Sequence, residues 1–180
     1  FKTLKDVGAK GFITTGTSME YSDTESAHTE NEECKPSTPY GQAKLKQTQM
    51  SLDLGKKYNL NTAVVRVFIP YGEYDSPNKM MPALLKSLEK GEKFPLSPGT
   101  QIRSFIPVNK LIQIYFKIAD GIFAGNIKSE IYNGAFGPGI SLKQFILDQV
   151  QEKSLPLDLL DFGAQPMRST EVPFAFADDK

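Results

Sequence analysis

Apolar residues recur along this chain in two rhythms, short continuous runs and longer stretches at helical spacing. "GFITT" (residues 11–15) is a β-rich apolar run after a glycine, and "NTAVVRVF" (61–68) is a longer β-branched one. Both read as strands buried on both faces. Pro70 and Gly72 stop the second. "FKTLKDV" before the first run reads as the end of a helix. Between the runs, "GTSMEYSDTESAHTENEECKPSTP" is polar and reads as a loop at the C-terminal end of the first strand. Ser37 or Thr38 can cap the next helix, with Pro39 in its first turn and an end near Tyr58. Further on, "MMPALLKSLEKG" predicts a helix closed by Gly91. "RSFIPV" predicts a short strand, "NKLIQIYFKIADGIF" a helix, and "SEIYNGAF" a strand ending at Gly134 and Gly137. Ser141 opens an amphipathic helix, "SLKQFILDQVQEK". The tail from Leu155 reads as irregular, and the final "FADDK" carries no closing helix. Strands alternating with helices predict an α/β fold with a mostly parallel sheet. Ligands of such sheets sit beyond the C-terminal strand ends. The loop after "GFITT", the helix holding Tyr40 and the turn after "AVVRVF" are all expected there.

Composition narrows the function. Hydrophobic residues make up 39% and charged residues 23% of 180 residues, as in a globular domain. Basic and acidic side chains balance at 21 each, so bulk charge selects neither nucleic acid nor an anionic membrane. No apolar run approaches the roughly 20 residues that span a bilayer, and no signal-peptide pattern opens the chain. A single cysteine, Cys34, has no internal disulfide partner, and a single histidine, His28, makes no histidine-rich metal site. The expectation is a cytoplasmic protein without a metal. A start at Phe1 and an end without a helix suggest the interior of a longer protein.

The candidate chemistry lies in "TPYGQAKLK" (38–46). Tyr40 and Lys44 are four apart, hence stacked on one face of a helix. A cation one turn away favours the phenolate form of a tyrosine, whose ordinary pKa is about 10. Such a tyrosine serves as acid or base. The bland alternative is a lysine stem lying along a half-buried tyrosine. The surrounding strands, and the hydroxyl cluster "TTGTS" ending the first of them, favour chemistry. Thr14, Thr15, Thr17 and Ser18 are all candidates for the hydroxyl that would hold a substrate oxygen.

Five segments in order, "FITTGTSMEY", "TPYGQAKL", "VVRVFIPYG", "QIRSFIPV" and "FGAQPMRSTEV", make the chain similar to the extended short-chain dehydrogenase/reductase family of NAD-dependent nucleotide-sugar epimerases, dehydratases and reductases. The resemblance covers nearly all 180 residues. It implies a Rossmann-like doubly wound sheet with a small mixed substrate-binding subdomain. Residues 1–72 would be the second half of the dinucleotide-binding domain. Residues 73–180 would be mostly substrate-binding, with returning Rossmann elements around 103–135. It also implies a triad. Thr17, four before Tyr21, would hydrogen-bond the sugar oxygen. Tyr40 would exchange a proton with it, and Lys44 would assist and bind the nicotinamide ribose. Phe68 would pack its backbone against the nicotinamide. Arg103 and Arg168 would bind the nucleotide diphosphate, their planar forks suiting phosphate oxygens; each could equally be a surface Arg in an ion pair. The usual Asp after Arg103 is Ser104 here. Ile69 replaces an Asn that often holds substrate, so that role is not carried over.

The implied activity is that of an NAD(P)-dependent 4-epimerase or 4-keto reductase acting on a nucleotide-diphosphate sugar. A 4,6-dehydratase of the same family is the alternative, as is a non-catalytic fragment acting as a binding module. Dehydratases need a further acid two positions after the Thr. Ser18 and Met19 follow Thr17, and Glu20, in a strand-like segment, would face away. His28 and Cys34 are minor candidates for epimerisation and are expected to be exposed. The glycine-rich turn that binds the pyrophosphate and the acid that binds ribose are not in this sequence, and the glycines of "FGPGIS" (136–141) lack the spacing. By itself the chain is therefore not expected to hold NAD or NADP tightly. A homodimer through the helix bearing Tyr40 and Lys44 is also implied.

Overall fold

In chain order the elements are α1 (Lys2–Asp6), β1 (Gly11–Thr17), α2 (Pro39–Tyr58), β2 (Asn61–Val67), β3 (Ile69–Tyr71), α3 (Met80–Glu89), β4 (Phe94–Leu96) and β5 (Ile102–Arg103). There follow β6 (Phe105–Pro107), α4 (Val108–Phe123), β7 (Glu130–Gly134), β8 (Ile140–Ser141), α5 (Leu142–Glu152), β9 (Leu160–Phe162) and β10 (Phe174–Ala175). This computed structural model describes residues 1–177.

The central sheet is parallel, in the order β1-β2-β7. β1 and β2 pair from Gly11 opposite Asn61 to Thr17 opposite Val67. Alternation along β2 divides the two faces. Ala63 and Val65, fully buried, pack with Ile118 and Ile122 of α4. Thr62 and Arg66 point to the opposite face, where α2 lies. The small residues Gly41, Thr48, Ser51 and Gly55 are the buried positions of α2. They let the helix approach the sheet closely. Its start matches expectation: the Thr38 hydroxyl accepts from Gly41 N at 3.0 Å, with Pro39 in the first turn.

A second core lies outside this sheet. Leu84 and Leu88 of α3, Leu96 of β4, and Ile146 and Val150 of α5 form it. β4 pairs with β9 in parallel. β5 is flanked by β10 and β8, and β3 pairs with β6.

Several expectations are corrected. The tail after Leu155 is not irregular throughout: β9 and β10 each join a strand made much earlier in the chain. "RSFIPV" is not one strand. It breaks at Ser104, whose hydroxyl accepts from Ala177 N at 3.0 Å, leaving β5 and β6 in different sheets. Pro70 does not simply stop β2. It sits inside β3, opposite Ile106, and a two-stranded ribbon tolerates its missing N–H. β1 runs two residues further than "GFITT", to Thr17. The expectation of no closing helix at residues 178–180 lies outside the described residues.

Candidate active site

The C-terminal ends of β1 and β2 open into a cleft. One part, about 350 Å³, is walled by Thr17, Ser18, His28 and Phe174 among others. A second part, about 840 Å³, runs along α3, β4 and α5. Phe68, Ile69, Arg103, Arg168 and Glu171 wall both parts. The expected candidates Thr17, Phe68, Arg103 and Arg168 thus share one cleft. Tyr40 and Lys44 are not among the residues of its walls. Ser37 and Thr38, which lead into α2, are in the first part, and Tyr40 stands just beyond them, 55% exposed.

The hydroxyl candidates separate by their partners. Thr14 Oγ1 accepts from Gln47 Nε2 at 3.0 Å, and Thr15 Oγ1 bonds the Tyr115 hydroxyl at 2.7 Å. Thr17 Oγ1 accepts from Met19 N at 3.4 Å, which leaves its own proton to donate into the cleft. The Lys44 ammonium donates to Thr15 O at 2.7 Å and to Gln47 Oε1 at 2.8 Å. It is therefore fixed at the strand end that carries Thr17. Gly41 allows this closeness, because a Cβ there would collide with the Met19 carbonyl.

The chain does not continue as a strand after Thr17. Residues 18–20 make a tight turn in which the Thr17 hydroxyl and the Glu20 carboxylate cap one another's backbone. Glu20 accordingly turns inward and is fully buried. It stays out of the cleft, but through a turn rather than through strand alternation.

His28 and Cys34 are not simply exposed. His28 is 3% exposed, stacked on Tyr21 at 4.5 Å, with Nδ1 2.8 Å from Glu32 Oε1. Burial pushes the half-buried Cys34 thiol up, against the pull of Arg66. Tyr21 also faces the cleft. Burial raises its hydroxyl to about 12, only partly offset by Arg66, and it donates to Asn133 Oδ1 at 2.6 Å. That makes it a poor proton exchanger near neutral pH.

The two arginines differ. Arg103 is 8% exposed. Its Nη1 donates to the carbonyls of Ile102 and Pro173, and its Nη2 to Glu171 and the Val172 carbonyl. Desolvation lowers its pKa, with Glu171 opposing. Arg168 is exposed at the cleft mouth. Sequence reasoning missed Glu171, which sits in no spacing that marks it, and weighed Glu20 only as a dehydratase acid, not as a buried link. Among the described residues no cluster of His, Cys, Asp or Glu could hold a metal, and no helix is long and apolar enough to cross a membrane.

Residues 1–133 match the NAD dependent epimerase/dehydratase family. The chain is 32% identical over 143 residues to a UDP-glucose 4-epimerase of Caenorhabditis elegans, covering 67% of this chain and 41% of that protein. It is 25% identical over 199 aligned positions to a UDP-glucose 4-epimerase of Bacillus subtilis (strain 168), covering 98% and 57%. It thus spans about half the length of these curated relatives. Among solved structures, a UDP-N-acetylglucosamine 4-epimerase from Methanobrevibacter ruminantium M1, in complex with UDP-N-acetylmuramic acid, superposes with a TM-score of 0.85. It does so at 19% identity over 99% of this chain and 57% of that one. That likeness establishes a shared α/β, Rossmann-like fold.

Proposed function

The chain belongs to the NAD dependent epimerase/dehydratase family, and from that premise we propose that it is the catalytic half of an NAD(P)-dependent nucleotide-sugar epimerase or 4-keto reductase. The observation that carries this reading is the strand end itself. Thr17 opens into the cleft with a hydroxyl proton to give, and Lys44 is anchored two residues away at Thr15 O, one helical turn after Tyr40. The residues present fit the nicotinamide end of the cofactor. Lys44 has three N–H donors, two of which are held by Thr15 and Gln47. The third would hold a ribose hydroxyl, and the buried Phe68 supplies an apolar wall.

A bound nicotinamide would exchange hydride with the sugar carbon. The chain's own work is the proton. Thr17 hydrogen-bonds the reacting sugar oxygen, and Tyr40 takes or returns that oxygen's proton. Elimination finds no acid beside Thr17, because Ser18 and Met19 follow it and the Glu20 carboxylate is engaged. The diphosphate is bound at Arg168, and Arg103 joins only by exchanging Glu171 for phosphate. Residues 1–72 act as cofactor domain. Residues 73–180 act mainly as substrate domain, with the elements around 103–135 returning to the sheet. The enzyme works in the cytoplasm, in keeping with the free thiol of Cys34, as a homodimer through the outer face of α2, where Met50 is 53% exposed.

The test is turnover of UDP- and dTDP-linked sugars by the intact protein with NAD or NADP. Tyr40→Phe is expected to cut kcat by about 10²–10⁴-fold with cofactor affinity retained. Equal turnover in that variant overturns the assignment.

A further inference from the structure

A fully buried carboxylate is costly unless every lone pair is used. Glu20 is 0% exposed and uses its oxygens on three elements at once. Oε1 accepts from Thr17 N at 3.0 Å, at the end of β1. Oε2 accepts from Thr48 Oγ1 at 2.8 Å, on α2, and from Arg66 Nε at 3.0 Å, on β2. Tyr40, Lys44 and Thr48 are spaced i, i+4, i+8, so they form one stripe along α2. The strand approaches the carboxylate so closely that a Cβ on Gly16 would stand 2.5 Å from Oε1.

Burial makes this ion pair weak evidence of a stabilising role. Arg66 Nη1 is buried without a partner, and its guanidinium lies 4.5 Å over the Tyr21 ring. Apolar side chains of similar volume often replace a buried ion pair at no cost in stability. What the carboxylate supplies is geometry, a rigid link from the backbone of Thr17 to the stripe holding Tyr40 and Lys44.

We propose that Glu20 is a positioning residue that sets the separation of the Thr17 hydroxyl from Tyr40 and Lys44, an inference that rests on the proton-transfer reading above. Thr48→Val removes only the link to α2 and preserves shape. In the intact protein we expect its melting temperature to fall, because a buried carboxylate loses a donor, and KM to hold at temperatures where the variant is folded. We expect kcat to fall about tenfold or more, on a scale where a 1 Å misplacement costs about 10²-fold. Thr48→Ser should restore it. Parental kcat in Thr48→Val, or a loss that Thr48→Ser leaves unrepaired, overturns the proposal. A second measurement needs no turnover. In Glu20→Leu/Arg66→Met, which removes both charges together, amide exchange at Thr17 should accelerate about tenfold or more as its partner is lost; unchanged protection overturns the link. If Tyr40→Phe keeps full activity, the proton-transfer reading falls, while the exchange result still decides the link.

Discussion

Arg103 and Arg168 face the same cleft with the same charge, yet their surroundings divide their work. Arg103 binds the chain to itself through Glu171 and three carbonyls; Arg168 stands exposed at the mouth. Arg168→Ala should therefore raise KM for a nucleotide sugar and leave the melting temperature unchanged. Arg103→Ala should raise KM and also cost about 3 kcal/mol in unfolding free energy, because it leaves Glu171 and the carbonyls without their donor. Equal stability loss in the two variants, measured by denaturant titration, would contradict the division. The sequence made both arginines legible as phosphate candidates because a guanidinium suits phosphate. It could not show that Arg103 already has partners, since these lie 68 to 70 residues away apart from Ile102. Glu20 was hidden in the same way. Its partners Thr48 and Arg66 are 28 and 46 residues off, and only a folded chain reveals that an acid in a polar loop is buried.

Elements long enough to show their period were readable, and shorter ones were not. β2, α4 and α5 carry apolar patterns over seven or more residues, and α2 is marked instead by its cap at Thr38 and by Pro39. β4, β8, β9 and β10 have two or three residues each, too few for any period. β4 exists because Phe94–Leu96 finds Leu160–Phe162 across the second core. That core should be unforgiving. Leu84 is fully buried among Leu88, Leu96, Ile146 and Val150, so Leu84→Ala should cost about 2–5 kcal/mol. A loss below about 1 kcal/mol in equilibrium unfolding would mean that the site collapses to fill the space.

At the scale of the molecule, β1 lies at the edge of the central sheet. α4 presents a stripe of Ile112, Phe116 and Phe123, exposed by 47, 66 and 78%. An open edge beside apolar surface recruits other chains. The 180-residue polypeptide alone should sediment above its 20.0 kDa in a concentration-dependent way; a stable monomer at high concentration would refute this. A second whole-molecule feature is the segment from Glu171 to Ala177. It supplies the partner of Arg103, pairs β10 with β5, and reaches His28, whose N donates to Phe176 O at 2.8 Å. Seen as a timetable, this segment is the last of the described chain to leave the ribosome, and domains gather structure as they emerge. The strand end with Thr17, and the helix with Tyr40 and Lys44, are on hand more than a hundred residues earlier. The groups proposed to react are thus set in place before the facing wall of the cleft has been made.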